Sequence, residues 1–272
     1  MQENSGMYDS FDRRINYLRI SVTDRCNLCC VYCMPEDGIK MLQHTEILSF
    51  EEIAEVTRVA VSLGVDKVRI TGGEPLVRKG IVSLVEMLGK IEGINDLSMT
   101  TNGVLLKKYA GLLREAGLHR VNVSLDTLDT GRFRLLTRGG ELSEVLEGIQ
   151  TASDAGLTPI KINCVVQHSS DEPDARLVAE YCRQHKLEVR FIHQMNLTEG
   201  HFSVVEGGTG GDCSSCNRLR LTASGKILPC LFGEQEYDVR KLGIEKAIQL
   251  ALENKPACGS LNLKGEFYNI GG

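Results

Sequence analysis

The feature that most constrains the fold is an alternation of apolar, β-branched stretches with helical patterns over the first 195 residues. The predicted strands are Ile15–Val22, Lys67–Thr71, Asp96–Thr101, Arg120–Leu125, Pro159–Val166 and Leu187–Ile192. The predicted helices are Phe50–Leu63, Ile81–Lys90, Leu105–Ala116, Ser143–Ala155 and Glu172–His185. Such alternation produces right-handed βαβ units and a parallel sheet. Six strands are too few for a closed eight-stranded barrel, so we expect an α/β fold, an open (β/α)6 partial TIM barrel.

The pattern ends after Met195, and the glycine-rich stretch GGTGG (207–211) is typical of a turn or flexible connector. The remaining chain carries cysteines of its own. The sequence therefore predicts a barrel at residues 1–195, a connector at residues 196–212 and a C-terminal extension at residues 213–272.

Composition and charge exclude several classes of protein. Apolar residues make up 42% of the 272 positions, and no apolar run has the length of a membrane span. The N-terminus lacks a signal-peptide core, so a cytoplasmic protein is expected. In a reducing compartment, ten cysteines indicate metal ligands rather than disulfides. The net charge of −5 argues against a broad nucleic-acid surface, so an anionic substrate would need a few placed arginines and lysines.

Four cysteines lie close together in DRCNLCCVYCMP (24–35). Cys26, Cys30 and Cys33 form a C-x3-C-x2-C pattern, and Cys29 breaks the even spacing. A closed zinc site usually takes four ligands from two separated pairs. Three thiolates on one tight loop better fit a [4Fe–4S] cluster with one iron left for another ligand. Because thiolates suit both metals, zinc remains an alternative.

The other unusual motifs follow the predicted strands, and active sites of parallel β/α barrels lie at the carboxyl ends of the strands. They are TGGEP (71–75) after the second strand, TTNG (100–103) after the third, SLD (124–126) at the end of the fourth, Lys161 and Asn163 on the fifth and Met195 after the sixth. A glycine pair followed by an acid is by itself often only a turn. Motifs that converge on one end of a barrel predict a site.

The cysteine pattern, with a tyrosine before its last cysteine and GGEP after the next strand, resembles that of radical S-adenosylmethionine (SAM) enzymes. The sequence resembles one family more closely still, in the segments YLRISVTDRCN, YCMP, KVRITGGEPLVR, TTNG, NVSLDTLD, KINCVV and VRFI. With CSSCNRLRLTASGKILPCLFGE and a terminal IGG, the chain resembles the MoaA-type GTP 3′,8-cyclases of molybdenum cofactor biosynthesis, in a shortened form. The resemblance covers nearly the whole chain.

The resemblance implies that Cys26, Cys30 and Cys33 hold a [4Fe–4S] cluster and that Cys29 is not a ligand. The fourth iron would take the amino and carboxylate groups of SAM, whose one-electron cleavage yields a 5′-deoxyadenosyl radical. The protein's part is to position the cofactor and to exclude water. By motif, the SAM contacts are expected at Tyr32, Gly73, Ser124 and Met195; for Tyr32 and Met195, packing in the core or a lid is the ordinary alternative.

A second set of three cysteines lies in the C-terminal extension, at Cys213, Cys216 and Cys230. The ordinary interpretation is a zinc knuckle completed by His201 or Cys258. The resemblance implies a second [4Fe–4S] cluster whose open iron meets the guanine of GTP. If Cys258 reached the other three, the shell would be closed. We expect the open form, because the NRLR stretch between the ligands points to a ligand site.

Arginines within and around the predicted strands indicate an anion site. Arg218 and Arg220 are two positions apart and face the same side of an extended segment, where guanidinium groups can bind phosphate in a bidentate manner. A solvated strand face is the alternative. The resemblance places GTP among Arg19, Arg69, Thr100, Lys161, Arg218 and Arg220. Arg19 and Arg69 have apolar neighbours, and a charge facing the core would be costly without a partner, which supports a polyphosphate ligand.

The sequence departs from the family at its connector. Seventeen residues, 196–212, stand where family members carry a longer segment that helps to enclose the substrate, and His193 replaces a usual acidic residue. Alternatives to GTP are therefore another nucleotide or a peptide. A non-catalytic iron–sulfur scaffold or redox sensor is a third possibility, which the intact GGEP, SLD and IGG motifs disfavour.

The remaining expectations concern partners and the isolated cysteines. The resemblance implies that the ribose C3′ loses hydrogen and that the resulting carbon radical attacks guanine C8. It also implies an electron donor such as a flavodoxin or ferredoxin and a downstream pterin synthase. Cys164 and Cys182, alone in a strand and a helix, are expected to be buried as small apolar side chains.

Overall fold

The barrel strands form as the alternation predicts. In the computed structural model of the chain, the described residues are 6–35, 38–195 and 203–259. The six parallel strands are β1 (Tyr17–Ser21), β2 (Lys67–Thr71), β3 (Asp96–Thr101), β4 (Arg120–Ser124), β5 (Lys161–Val166) and β6 (Glu188–His193). Each pairs with the next in register, and the sheet does not close. The predicted open α/β barrel is confirmed.

The helices pack on the outer face of this sheet. They are α1 (Phe50–Ser62), α2 (Ile81–Gly89), α3 (Leu106–Glu115), α4 (Thr130–Thr137), α5 (Leu142–Asp154) and α6 (Pro173–Gln184). Ser49 and Glu52 form a capping box at the start of α1. The short helix α4 was not predicted; the side chain of Asp129 accepts a hydrogen bond from the Arg132 backbone at its start.

The C-terminal segment extends the same sheet. It forms β7 (Arg218–Leu221), β8 (Lys226–Leu228), β9 (Tyr237–Asp238), α7 (Val239–Leu242) and α8 (Ile244–Glu253). Strand β7 lies parallel to β1 on the side opposite β2, and β8 and β9 follow in antiparallel order. The nine-stranded order is β6-β5-β4-β3-β2-β1-β7-β8-β9. The alternation pattern did not reveal this continuity, because the connecting strands are short and separated from β1 by about two hundred residues.

Three arginines lie level with one another across the middle of this sheet. Arg19 on β1 is in register with Arg69 on β2 and with Arg220 on β7. Leu18 and Ile20, which flank Arg19 on the opposite face, are fully buried in the apolar core. Level residues of adjacent parallel strands point to the same face, so the arginines share the inner side of the barrel.

The two isolated cysteines are part of the core. Cys164 on β5 is 0% exposed and Cys182 on α6 is 1% exposed. Both are packed among apolar side chains, as predicted. Among the residues that the structure describes, no helix has the length and apolar character needed to cross a membrane.

Candidate active site

The first cysteine loop is a tight turn fixed to helix α4. The backbone N–H groups of Cys33 and Met34 both donate to the carbonyl of Cys30, at 2.9 and 3.0 Å. Two further N–H groups of the loop donate to α4: that of Cys29 to Thr137 at 3.2 Å and that of Val31 to Leu136 at 2.9 Å. These bonds satisfy carbonyls at the end of α4 that have no partner within the helix. The unpredicted helix therefore positions the loop.

The three spaced thiols of this loop influence one another. Burial, with a contribution from nearby Cys33, raises the pKa of Cys30 to about 12, and burial raises that of Cys26 to about 11. Burial, followed by the charge of Asp126, also raises the pKa of Cys33. Cys29 is exposed. Iron must therefore displace protons from these thiols when it binds.

This donor set fits an iron–sulfur cluster. In the described part of the chain, no three His, Cys, Asp or Glu side chains converge closely enough for a single metal ion. A four-iron cube does not require such convergence, because each thiolate binds a different iron. Three thiols from one loop can thus occupy three corners, and the fourth iron is left for a ligand that is not a cysteine of this loop.

The GGEP loop lies directly against the cysteine loop. The N–H of Gly73 donates to Thr23 at 2.8 Å, and that of Glu74 donates to Arg25 at 2.8 Å. A Cβ atom at Gly73 would stand 2.3 Å from the carbonyl oxygen of Arg25, and one at Gly72 would stand 2.5 Å from that of Thr23. Both contacts are with backbone, which cannot rotate away. Only glycine allows the loops after β1 and β2 to approach this closely.

The substitution Gly73→Ala is expected to damage the site and the fold together. The added methyl group must separate two hydrogen-bonded loops, and overpacking of this kind costs about 1–3 kcal/mol. We expect a lower melting temperature under anaerobic conditions and weaker SAM binding. Gly111→Ala is the matched control, because a Cβ there meets nothing within 4 Å and alanine favours the helix. Equal melting temperatures for the two variants would contradict the close approach.

Glu74 is a buried positioning group. Its carboxylate accepts from Thr101 Oγ1 at 2.8 Å and from the N–H groups of Leu76 at 3.0 Å and Asn102 at 2.6 Å. Burial raises its pKa to about 7, and the three donors oppose that rise. Asn102 in turn donates through Nδ2 to Cys26 Sγ at 3.7 Å. The acid of GGEP thus connects the end of β3 to the first cysteine.

The four predicted SAM contacts lie in two places. Gly73 and Tyr32 belong to the paired loops, and Tyr32 donates through its hydroxyl to Asp126 Oδ2 at 2.5 Å. Asp126 also accepts from the N–H of Val165 at 2.8 Å, so the SLD motif fixes the tyrosine. Ser124 ends β4 and is half-buried. Met195 lies apart from these residues, on the wall of an arginine-rich cavity and against the apolar cluster that contains Phe232.

That cavity, the arginine cavity, has a volume of about 260 Å³ and lies on the inner face of the barrel. Six arginines and one lysine line it, against one aspartate, Asp96. Its cationic residues are Arg19, Lys67, Arg69, Arg120, Arg190, Arg218 and Arg220. Arg120 is neutralised there by two hydrogen bonds to Asp96, at 2.9 and 2.5 Å. In a chain with net charge −5, this concentration of positive charge predicts an anionic ligand.

Several polar atoms of the cavity have no partner within the described residues. They include the Nε atoms of Arg19, Arg190 and Arg218 and the hydroxyl of Tyr17. Burial, followed by the charge of Arg218, lowers the pKa of Arg220 to about 10, and burial with Arg220 lowers that of Arg19 well below its ordinary value. Arginine does not lose its proton under these conditions. The cavity therefore holds desolvated charge that a polyphosphate would neutralise.

Thr100 and Lys161 do not line the arginine cavity. Lys161 Nζ forms an ion pair with Glu188 Oε2 at 2.6 Å, on the neighbouring strand. Thr100 Oγ1 is buried without a hydrogen-bond partner among the described residues, and so is Nδ2 of Asn122, which pairs with Thr100 across β3 and β4. These polar atoms on the inner strands can form hydrogen bonds with a ligand.

The short connector forms one wall of the arginine cavity. Glu206 and Phe191 exchange two backbone hydrogen bonds, at 3.1 and 3.2 Å, so the connector pairs with the edge of β6. Glu206 also lies 3.7 Å from Nε2 of His193. Val205 and residues 208–210 then line the cavity. An edge pairing and a glycine-rich turn thus form this side of the cavity.

The second cysteine set lies next to the arginine cavity. Cys213, Cys216 and Cys230 line a smaller cavity of about 60 Å³. Arg218 and Arg220 line both cavities, so an anion held by these arginines lies beside the three thiols. Burial by itself raises the pKa of Cys216, but nearby Lys255 and Arg218 outweigh it and bring the pKa below its ordinary value. Such a thiol readily becomes a metal-binding thiolate.

The alternative zinc ligands named from the sequence are Cys258 and His201. Cys258 is exposed and forms a hydrogen bond to Cys213. His201 lies outside the described residues, as do the terminal IGG motif and the part of the connector at 196–202.

Three cations of the arginine cavity were not predicted from the sequence: Lys67, Arg120 and Arg190. Arg190 stands between Val189 and Phe191 on a predicted strand. This is the same pattern of a charge between apolar neighbours that identified Arg19 and Arg69, so the signal was available. Lys67 and Arg120 begin their strands and gave no such signal.

Comparison with protein families identifies two regions. Residues 20–182 match the radical SAM superfamily, and residues 167–257 match the family described as Molybdenum Cofactor Synthesis C. The GTP 3′,8-cyclase of Thermodesulfovibrio yellowstonii is 44% identical over 282 aligned positions, covering 87% of this chain and 88% of that protein. The GTP 3′,8-cyclase of Peptoclostridium acidaminophilum is 40% identical over 325 positions and covers all of both chains. That alignment exceeds 272 residues, so the relative carries residues that this chain lacks.

Solved structures show the same fold. SuiB of Streptococcus suis bound to S-adenosylmethionine covers 95% of this chain and 70% of its own, with a TM-score of 0.61 and 16% identity. A structure described as native anSMEcpe with bound AdoMet covers 93% and 82%, with a TM-score of 0.64 and 15% identity. At this identity the likeness concerns the fold alone. The sequence comparisons go further: the chain belongs to the radical SAM superfamily and, within it, to the GTP 3′,8-cyclase family.

Proposed function

We propose that the chain catalyses the cyclisation of GTP to (8S)-3′,8-cyclo-7,8-dihydroguanosine 5′-triphosphate in molybdenum cofactor biosynthesis. The observation that carries the proposal is the adjacency of the arginine cavity and the second cysteine set through Arg218 and Arg220. A nucleoside triphosphate has one strongly anionic end and one neutral, nitrogen-rich end. The cavity matches the first end, and a metal centre on the three thiols matches the second.

The enzyme is a radical SAM lyase whose cofactors are two [4Fe–4S] clusters and SAM. Cys26, Cys30 and Cys33 hold the first cluster in this proposal. SAM bound there would supply, on one-electron reduction, a 5′-deoxyadenosyl radical for the abstraction of hydrogen from the ribose C3′. The chain orients the cofactor with Gly73, Tyr32, Ser124 and Met195, of which Tyr32 is fixed by Asp126.

The phosphates of GTP are held by the barrel arginines. Arg19, Arg69, Arg218 and Arg220 face them from three adjacent strands, and their desolvated charge is neutralised when the ligand binds. Thr100 supplies a buried hydroxyl. Lys161 contributes to phosphate binding if its ammonium group contacts the ligand as well as Glu188.

Guanine is held at the second cluster. Cys213, Cys216 and Cys230 would hold this cluster through three thiolates, which would leave one iron available to the base. With both ends of the nucleotide fixed, the ribose is positioned between the two cysteine sets. Positioning of this kind removes much of the entropic cost of a reaction between two centres.

The cellular setting belongs to the same proposal. A flavodoxin or ferredoxin delivers the electron, and a pterin synthase consumes the product, in the cytoplasm. We also propose the division of the chain into residues 1–195, 196–212 and 213–272, with the C-terminal part holding the second cluster. Its support is the separation of the cysteines into two sets.

The test is anaerobic incubation with SAM, a reductant and GTP that carries deuterium at C3′. We expect deuterated 5′-deoxyadenosine and a chromatographically distinct nucleotide with the mass expected for the cyclised product. ATP in place of GTP is the control. Formation of 5′-deoxyadenosine without deuterium transfer would favour another nucleotide or a peptide as substrate. The absence of 5′-deoxyadenosine from a protein with intact clusters would favour the non-catalytic scaffold.

A further inference from the structure

Cys258 stands beside the second cysteine set although it is far along the chain from the other three. Its thiol forms a hydrogen bond to Cys213 and lies close enough to Cys230 for their charges to interact. It is exposed, whereas the three cysteines of the set are partly buried. A fourth thiol thus occupies the solvent side of the site.

Buried Arg13 fixes this arrangement from one side. Its guanidinium donates through Nη1 to the carbonyls of Cys213 at 2.7 Å and Ala257 at 3.0 Å, and through Nη2 to that of Pro256 at 2.7 Å. A bond from Nε to Asp9 Oδ2 at 2.6 Å orients the guanidinium, and Asp9 is fully buried. One rigid group therefore joins the backbone of the first ligand to the backbone next to Cys258.

Buried Lys255 fixes the same segment from the other side. Its ammonium donates to the carbonyls of Arg218 at 2.8 Å and Pro229 at 2.6 Å, which are neighbours of the other cysteines. Its charge also acts on Cys216 and Cys230. Residues 255–258 are thus attached at both ends to the three segments that carry the ligands.

We propose that Cys258 is the fourth thiolate ligand of the second cluster in the substrate-free protein and that the nucleotide displaces it. The displacement rests on the proposed function, whereas the ligation rests on the geometry alone. On cluster assembly the Cys258 thiol releases a proton to solvent and its hydrogen bond to Cys213 is replaced by a sulfur–iron bond. When guanine binds, that bond breaks, a nitrogen–iron bond forms and the thiolate takes a proton from solvent. No electrons are transferred.

The position of Cys258 explains why it is the displaceable ligand. The other three cysteines line the cavity between β7, Pro229 and Lys255, whereas Cys258 is exposed and only its neighbours Lys255 and Gly259 are among the described lining residues. An exposed thiolate can leave the iron and be solvated without opening the protein. While Cys258 is bound, the fourth iron is protected until substrate arrives. The apparent affinity for nucleotide is lowered in proportion to the fraction of time that Cys258 occupies this iron.

The test isolates the second cluster in full-length protein. The first cluster is removed by the triple substitution Cys26→Ala, Cys30→Ala, Cys33→Ala, and the second is reconstituted with ⁵⁷Fe. Mössbauer and electron–nuclear double resonance spectra are compared for this background and for the same background with Cys258→Ala, Cys258→Ser or, as an exposed-cysteine control, Cys29→Ser. Without nucleotide, we expect four thiolate-ligated irons in the background and the Cys29→Ser control, and one distinct iron in the two Cys258 variants.

GTP labelled with ¹⁵N in guanine then tests the displacement. We expect it to convert the background spectrum to one with a distinct, nitrogen-coupled iron. Cys258→Ala should bind GTP about tenfold more tightly if the thiolate occupies the iron for about nine-tenths of the time. Identical spectra for the background and both Cys258 variants without nucleotide would overturn the ligation. Loss of iron from Cys258→Ala, with retention in Cys258→Ser, would support it.

The outcomes separate the inference from the proposed function. If the Cys258 variants change the substrate-free spectrum but GTP alters none of the spectra, the ligation stands and the guanine site of the proposed function fails. If GTP gives a nitrogen-coupled iron in every variant while the substrate-free spectra are identical, the proposed function stands and the ligation fails.

Discussion

Alanine at Cys26, Cys30 or Cys33 is expected to abolish cleavage of SAM. In the proposed site each thiol supplies one corner of the first cluster, and a cube with two protein ligands would lose iron or leave more than one iron open. The measurement is 5′-deoxyadenosine formed under anaerobic conditions with a reductant, together with iron content. We expect no 5′-deoxyadenosine above background. The parent should contain about eight irons, and the variants should retain those of the second cluster.

Cys29→Ser is the matched control for these three variants. The Cys29 side chain is exposed, and the residue attaches the loop to Thr137 through its backbone N–H, which serine keeps. Cleavage of SAM should therefore stay close to the parent rate. Loss of cleavage in Cys29→Ser, at an unchanged melting temperature, would show that the ligand set has been misassigned.

The variants Arg218→Ala and Arg220→Ala are expected to bind GTP about tenfold to a hundredfold more weakly. A hydrogen bond to a charged group contributes about 1.5–3 kcal/mol, and each arginine faces both the arginine cavity and the second cysteine set. Reductive cleavage of SAM in the absence of GTP should be spared. Affinity is measured by anaerobic calorimetry or equilibrium dialysis.

A stability measurement distinguishes this role from a structural one. The arginines of the cavity repel one another, and the pKa of Arg220 is lowered by burial and by Arg218. Removing one charge should therefore leave the melting temperature of the nucleotide-free protein unchanged or raise it. Arg183→Ala is the control, because Arg183 is exposed on α6 and its guanidinium pairs with Glu180 of the same helix. Unchanged GTP affinity in both cavity variants would mean that the RLR stretch is a strand face without ligand.

The barrel and the first cysteine site could be predicted because their signals are local. Burial of one face imposes a period on each strand and helix, and the period is visible within a dozen residues. The ligand spacing of Cys26, Cys30 and Cys33 is likewise contained in one loop. The close approach of neighbouring loops requires the glycines of GGEP, and these glycines are visible in the sequence motif.

Helix α4 and the C-terminal strands could not be predicted in the same way. The helix has eight residues and only Phe133 and Thr137 among them are buried, so its period is weak. Strand β8 has three residues and β9 has two. Elements this short receive their stability from the partners against which they pack rather than from their own sequence preference.

The alternating fold, the two cysteine sets and the family of the chain can be inferred from the order of its residues. Which of these parts face one another depends on the folded chain. Pairing of β7 with β1 places Arg220 beside Arg19, and pairing of the connector with β6 completes the wall around them. The buried side chain of Arg13 brings Cys258 to Cys213, from the other end of the chain. Contacts between residues about two hundred positions apart form only when the whole chain folds. Local periodicity in the sequence therefore does not predict them.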